Sequence, residues 1–121
     1  MYKVLVVEDS HSEMARFRDI LANSNFEVIE AMNGQQGVEM AVTHLPDVIL
    51  MDIVMPEMNG FQATRKITRN EMTAHIPVVM ISTKNQETDK IWGKRQGAKA
   101  YLTKPVYEAE LLRILDAVIG Q

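Results

Sequence analysis

Acidic, hydroxyl and amine side chains follow four apolar segments of this sequence. In chain order they are Glu8, Asp9, Asp52, Ser82, Thr83 and Lys104. Asp52 raises the first question, because it is the single charge in the apolar stretch 48–55 and an isolated carboxylate is costly to bury. It must therefore reach solvent or have partners.

The chemistry of such a set can be read from its side chains. Carboxylates placed together repel one another unless a cation neutralises them, and oxygen ligands without His or Cys favour a hard ion such as Mg²⁺. A carboxylate can act as a nucleophile and form an aspartyl phosphate. A lysine and a hydroxyl can bind phosphoryl oxygens. If the six residues converge, they predict a phosphoryl-accepting site with Asp52 as the acceptor.

The elements that must position these residues alternate along the chain. Short apolar or β-branched segments are separated by polar segments with helical spacing, which predicts βαβ units and a mainly parallel sheet. The predicted strands are 2–7, 26–31, 47–52, 77–82 and 100–103. The second alternates apolar and polar residues, which is typical of an edge strand. We predict an open, doubly wound α/β sheet of five strands with helices on both faces.

The carboxyl ends of parallel strands share one edge of the sheet, where ligands of such folds bind. The acidic, hydroxyl and amine residues should therefore meet there.

Helix signals occupy the intervals between the predicted strands. Ser10 with Glu13 indicates a capping box before the first helix, and Thr83 with Gln86 indicates one before the fourth. The second helix should begin near Asn33-Gly34 and end at Pro46, and the third should begin near Asn59-Gly60. Apolar stripes mark the first helix at Met14, Phe17 and Leu21, and the fifth at Leu111, Leu115, Val118 and Ile119.

Composition narrows the class of protein. The chain has 121 residues, 46% of them hydrophobic and 24% charged, which predicts a single domain over 1–121 with a real core. A formal net charge of −3 argues against nucleic acid as a partner. The absence of cysteine excludes disulfides and thiolate metal sites. No apolar run approaches the ~20 residues of a membrane span, so we expect no membrane insertion and a cytoplasmic protein.

Four motifs together resemble those of CheY-like response-regulator receiver domains over essentially the whole chain. They are Glu8-Asp9, the segment MDIVMPEMNG at 51–60, Ile81-Ser82-Thr83 and Lys104-Pro105. The resemblance implies a flavodoxin-like sheet with strand order 2-1-3-4-5 and five helices. It also implies a signalling protein that accepts a phosphoryl group rather than a conventional enzyme.

Residue roles follow from the same resemblance. Asp52 would be the phosphoacceptor, and Lys104, joined to Pro105 by a cis bond, would contact the phosphoryl group. Ser82 would follow that group on activation, and Tyr101 would be the aromatic switch residue. The implied cofactor is Mg²⁺, with ligands Glu8, Asp9, Asp52 and the backbone carbonyl of Val54. The implied phosphoryl donor is a sensor histidine kinase or its phosphotransfer domain.

Segments 59–68 and 82–106 are more closely similar to single-domain regulators of type IV pilus twitching motility. No output domain is predicted after the fifth helix, so the signal should leave through contact with another protein, or the chain should act as a phosphate sink. The fourth predicted helix carries basic residues near Trp92. This face is either a partner surface or a solvated helix face.

Other classes fit less well. A phosphatase of the haloacid dehalogenase type resembles families with a second aspartate two residues after the nucleophile, and Val54 stands there. A flavodoxin-like cofactor binder is disfavoured because the segment after the first strand, EDSHSE, would repel a phosphate without a metal. A receiver that binds without phosphorylation is disfavoured by the intact acidic set. The histidines, His11, His44 and His75, have no ligand spacing and should lie on the surface.

Overall fold

The computed structural model describes residues 1–120 and contains five strands alternating with five helices. Gln121, the last residue of the predicted domain, lies outside the described residues. The strands are Tyr2–Val7 (β1), Phe26–Ala31 (β2), Val48–Asp52 (β3), Val78–Ser82 (β4) and Ala100–Thr103 (β5). The helices are His11–Asn23 (α1), Gly34–His44 (α2), Gly60–Arg69 (α3), Glu87–Arg95 (α4) and Glu108–Ile119 (α5).

The sheet is parallel throughout and has the order β2-β1-β3-β4-β5. This confirms the predicted doubly wound, CheY-like architecture and places the alternating strand β2 at an edge. The predicted strand boundaries are correct to within one residue. Strands β3 and β4 are buried over their whole length, as strands covered on both faces must be.

Successive side chains of the central strands point to opposite faces of the sheet and so fill two cores. One core packs alternate residues of β1, including Val4 and Val6, against α1 and α5. The other packs Leu5 and Val7 against α2 and α3. The predicted stripes of α1 and α5 are buried, except that Ile119 is only partly covered. The two cores hold the sheet rigid beneath its carboxyl edge.

Side-chain caps begin the first three helices, but the capping box predicted for Ser10 with Glu13 is only half formed, because the Ser10 backbone N–H donates to Glu8 and not to Glu13. The Ser10 hydroxyl accepts a hydrogen bond from the Glu13 backbone N–H at 3.3 Å. Asn33 caps α2. Asn59 and Gln62 form a reciprocal capping box at α3, with both bonds 2.9 Å long. These bonds satisfy backbone N–H groups that have no partner within the helix.

The predicted start of α4 is wrong. The helix begins at Glu87 rather than after Thr83, and the Asp89 carboxylate accepts a hydrogen bond from the Gln86 backbone N–H at 3.2 Å. One reason is that the backbone of Lys84 is bonded to the side chain of Ser82, the last residue of β4, and to that of Tyr101 within β5. Those bonds keep the segment before Gln86 out of the helix.

The end of α2 also differs slightly from the prediction. The helix stops at His44, and Leu45 follows in the left-handed region with φ of 46°. Pro46 therefore lies beyond the helix rather than at its last turn. All three histidines are exposed, as predicted. Among residues 1–120, every helix is too short or too polar to cross a lipid bilayer.

Gly60 packs the start of α3 directly against the end of β3. A Cβ atom at this position would lie 2.3 Å from the carbonyl oxygen of Asp52 and 2.7 Å from Cα of Ile53. The Gly60 N–H also donates to the Ile53 carbonyl at 2.8 Å. This close approach holds the short loop after Asp52 against the sheet.

Candidate functional site

The predicted site residues converge at the carboxyl edge of the sheet. Backbone hydrogen bonds continue the sheet past the strand ends and hold the loops in place. Glu8 N–H donates to the Ala31 carbonyl at 3.0 Å, Ile53 N–H to the Ile81 carbonyl at 3.2 Å, and Lys104 N–H to the Ser82 carbonyl at 2.8 Å. The side chains after β1, β3, β4 and β5 therefore share one region.

Three carboxylates form an acidic cluster in this region. Glu8, Asp9 and Asp52 each offer an oxygen, and these oxygens lie within 4.8 Å of one another. Glu8 and Asp52 are buried, with 1% and 4% of their surface exposed, whereas Asp9 is exposed. Asp52 is thus buried and lies beside two other carboxylates. A few carboxylate oxygens open to water on one side fit Mg²⁺, which keeps several waters in such sites.

Lys104 supplies the positive charge of the cluster. Its Nζ lies 3.0 Å from Oε1 of Glu8 and 3.4 Å from Oδ1 of Asp52. The other Glu8 oxygen accepts a hydrogen bond from the Ser10 backbone N–H at 3.1 Å. Both carboxylate oxygens of Glu8 are therefore bonded, and the contact of Lys104 with Asp52 is longer than its contact with Glu8.

Burial and the contacts among Glu8, Asp52 and Lys104 shift the pKa values of Asp52 and Lys104. Burial and the neighbouring Glu8 charge raise the pKa of Asp52 to about 7, although Lys104 opposes them. Burial acts to lower the pKa of Lys104, but Glu8 and Asp52 outweigh it and the pKa of Lys104 is raised. The lysine is consequently charged at neutral pH, while Asp52 is a carboxylate that a cation would help to ionise.

Ser82 and Tyr101 are both bonded to the backbone of Lys84. The buried Ser82 hydroxyl accepts a hydrogen bond from the Lys84 N–H at 3.1 Å, and the Tyr101 hydroxyl donates to the Lys84 carbonyl at 2.7 Å. Burial raises the pKa of the Tyr101 phenol. The sequence predicted roles for Ser82 and Tyr101 but placed Lys84 among the basic residues of the fourth helix; it lies before that helix, and the role of its backbone peptide leaves no signal in residue type.

The remaining predicted residues lie around this centre. Val54 lies in the loop after β3 and is 56% exposed; its side chain has no ligand atom, so its backbone carbonyl is the group that it can offer to a cation. Thr83 is exposed. The Lys104–Pro105 bond is cis, as expected. The site as a whole brings three carboxylates, a lysine amine and a serine hydroxyl to one edge of the sheet, a set whose chemistry suits a hard divalent cation and a phosphoryl group.

Comparison with known proteins agrees with this geometry. A family model for the response regulator receiver domain matches residues 4–116. The protein PilH of Pseudomonas aeruginosa is 52% identical over 120 residues, which cover 99% of this chain and 99% of PilH. The polar-differentiation response regulator DivK of Brucella anthropi is 32% identical over 117 residues, covering 97% of this chain and 95% of DivK.

Solved structures show the same arrangement of strands and helices. The chemotaxis protein CheY4 of Vibrio cholerae superposes with a TM-score of 0.93 at 32% identity, covering 98% of both chains. The receiver domain of a Pseudomonas aeruginosa sensor histidine kinase superposes with a TM-score of 0.92 at 31% identity, covering 99% of this chain and 98% of that one. That structure has a magnesium ion coordinated in its active-site cleft.

Proposed function

The chain belongs to the response regulator receiver family of phosphoacceptor signalling proteins, and on that premise we propose that Asp52 accepts a phosphoryl group from a histidine kinase or its phosphotransfer domain. The observation that carries the proposal is the convergence of Asp52 with Glu8, Asp9 and Lys104 at the carboxyl edge. An Asp52 carboxylate oxygen would attack the phosphorus while the phosphorus–nitrogen bond to the donor histidine breaks and the imidazole leaves, and Lys104 would stabilise the charge on the transferred group.

We propose Mg²⁺ as the cofactor. The residues suited to hold it are Glu8, Asp9, Asp52 and the backbone carbonyl of Val54. The exposed Asp9 leaves one side of the cluster open to the ion and its waters. When bound, the ion offsets negative charge on the phosphoryl oxygens and on the buried carboxylates. The protein itself orients the acceptor, since Gly60 and the strand ends hold the Asp52 backbone in place.

Phosphorylation would act through Ser82, Lys84 and Tyr101. A phosphoryl group adds about −1.5 to −2 charges and three strong acceptor oxygens. If the Ser82 hydroxyl moves to donate to one of them, it gives up the bond from the Lys84 N–H. The Lys84 peptide then becomes free to shift, and with it the acceptor of the Tyr101 hydroxyl. The differential contacts that a switch requires are thus available.

The proposed output is protein contact at the surface formed by α4, β5 and α5. Two apolar side chains of α4, Ile91 and Trp92, are each 48% exposed there, beside Lys90 and Lys94. By its similarity to PilH, we place the chain in the control of type IV pilus twitching motility. The alternative is that the chain has no output partner and serves as a phosphate sink.

The first experiment is phosphorylation by acetyl phosphate with Mg²⁺, read by intact mass. The wild type and the exposed control Asp19→Asn should gain one phosphoryl group, and Asp52→Asn should gain none. A phosphoryl mass on Asp52→Asn would show that another residue is the acceptor.

The second experiment separates switch from sink. Backbone amide NMR with and without beryllofluoride should show shifts across residues 84–107. Shifts confined to the loops around Asp52 would instead support the sink.

A further inference from the structure

A groove between α2 and α3 lies outside the phosphoryl site, and the proposed function makes no use of it. Its volume is about 1050 Å³. One wall is the start of α2 (residues 33–36), and the other is the α3 face formed by Gln62, Arg65, Lys66 and Arg69. Met32 and Met58 also line it and are partly buried; Met58 packs against the core under α2 and α3, and Met32 against the core on the other face of the sheet.

The α3 wall of the groove is positively charged, although the protein as a whole is acidic. The spacing 62, 65, 66 and 69 places these side chains on one helix face, which extends about 10 Å along the axis. Helix α3 has three cations and no carboxylate, although the chain carries a formal net charge of −3. Within residues 1–120, none of the three cations has a carboxylate oxygen within 4 Å. Their charges are therefore available to a partner.

The stability of helix α3 does not explain all three of these positive charges. Lys66 and Arg69 lie in the last turn, where cations interact favourably with the helix dipole. Arg65 lies a turn earlier and is four residues from Arg69, a like-charge spacing that destabilises a helix. One carboxylate, Glu57, also lines the groove, and the net charge of the lining residues is still positive.

We propose that this groove docks an acidic peptide segment of a partner protein, with its apolar side chains on Met32 and Met58 and its carboxylates facing Arg65, Lys66 and Arg69. The groove is open and its volume lies at the upper end of the usual small-molecule range of roughly 300–1,000 Å³, and the length of its charged face matches about two turns of a bound helix. Methionine side chains adapt to varied apolar partners. Complementary charge supplies orientation and speed of association.

The test uses a capped peptide of Glu and Leu in helical spacing, titrated into ¹⁵N-labelled protein at low salt. Amide shifts should appear at residues 32–36, 56–58 and 62–69, with a Kd below ~1 mM. A peptide with Lys in place of Glu should produce none of them. The double substitution Arg65→Glu with Arg69→Glu should weaken binding by about tenfold or more. The matched control, Lys90→Glu with Lys94→Glu on α4, should bind as the wild type does.

Four results would overturn the proposal. They are no groove shifts at ~1 mM peptide, equal weakening by the α4 control, the same shifts with inorganic phosphate alone, and the same shifts on concentrating the protein without peptide. The last two would identify a small anion or a second copy of the chain as the occupant. Circular dichroism checks the fold of the variants, and if the Glu pair fails to fold, Arg65→Gln with Arg69→Gln replaces it. None of these outcomes depends on phosphorylation of Asp52, so this proposal and the proposed function can fail separately.

Discussion

Replacing Asp52 with Asn should stabilise the protein at neutral and alkaline pH in the absence of divalent cations. Asp52 is 4% exposed, lies beside the Glu8 carboxylate and shares Lys104 with it. The substitution removes one of the two buried carboxylates of the three-carboxylate cluster and keeps the size of the side chain. Lys104 retains Glu8 at 3.0 Å, so the change leaves no unpaired buried cation.

The magnitude follows from the raised pKa of Asp52, which is about 7 in the folded protein against 3.8 for an unperturbed carboxyl. Between these values the folded state binds more protons than the unfolded state, so the free energy of unfolding falls as pH rises. A difference of roughly 3 pH units at about 1.4 kcal/mol per unit gives an upper limit of about 4 kcal/mol above pH 7. At about pH 5 the same linkage gives only about 1–2 kcal/mol. We expect Asp52→Asn to be about 2–4 kcal/mol more stable than the wild type at about pH 8, with a smaller gap at about pH 5.

Urea unfolding with a chelator present, followed by circular dichroism at both pH values, measures this gap. Asp116→Asn, at an exposed position of α5, is the matched control and should show no comparable pH-dependent gap. Addition of Mg²⁺ should stabilise the wild type and narrow its gap to Asp52→Asn, because a ligand that binds only the folded state stabilises it. The reasoning fails if Asp52→Asn is no more stable than the wild type at about pH 8, or if the gap is the same at both pH values.

Three further outcomes are expected. Asp9→Ala should weaken Mg²⁺ binding in calorimetric titration, because it removes the carboxylate that is open to solvent; unchanged affinity would exclude Asp9 as a ligand. Ser82→Ala should still accept a phosphoryl mass from acetyl phosphate but lose the beryllofluoride-induced NMR shifts at 84–107, and retained shifts would mean that the switch does not run through Ser82. Gly60→Ala should lower the free energy of unfolding by about 2–3 kcal/mol in urea, because its Cβ would collide with the backbone of Asp52; unchanged stability would show that the loop after β3 yields easily.

The strands and most helix starts could be predicted from the sequence because their causes are local. Continuous apolar runs at 4–7, 48–51 and 78–81 mark β1, β3 and β4 as strands covered on both faces, and the alternation in β2 marks it as an edge. Asn33 and Asn59 cap their helices through bonds that span only three residues. The predicted start of α4 was wrong because the local bond from the Gln86 N–H to the Asp89 carboxylate, and not Thr83, begins the helix, and because the bond from the Tyr101 hydroxyl to the Lys84 carbonyl spans 17 residues of sequence.

The membership of the acidic cluster was also predictable, since a parallel sheet brings the residues after β1, β3, β4 and β5 to one edge whatever the details of packing. The contacts between these charged side chains could not be predicted in the same way. The bond from Lys104 to Glu8 joins residues 96 positions apart, and its length relative to the Asp52 contact depends on how the loops close over the sheet. Burial of Asp52 and its raised pKa arise only there, because desolvation depends on the surrounding atoms and not on residue type.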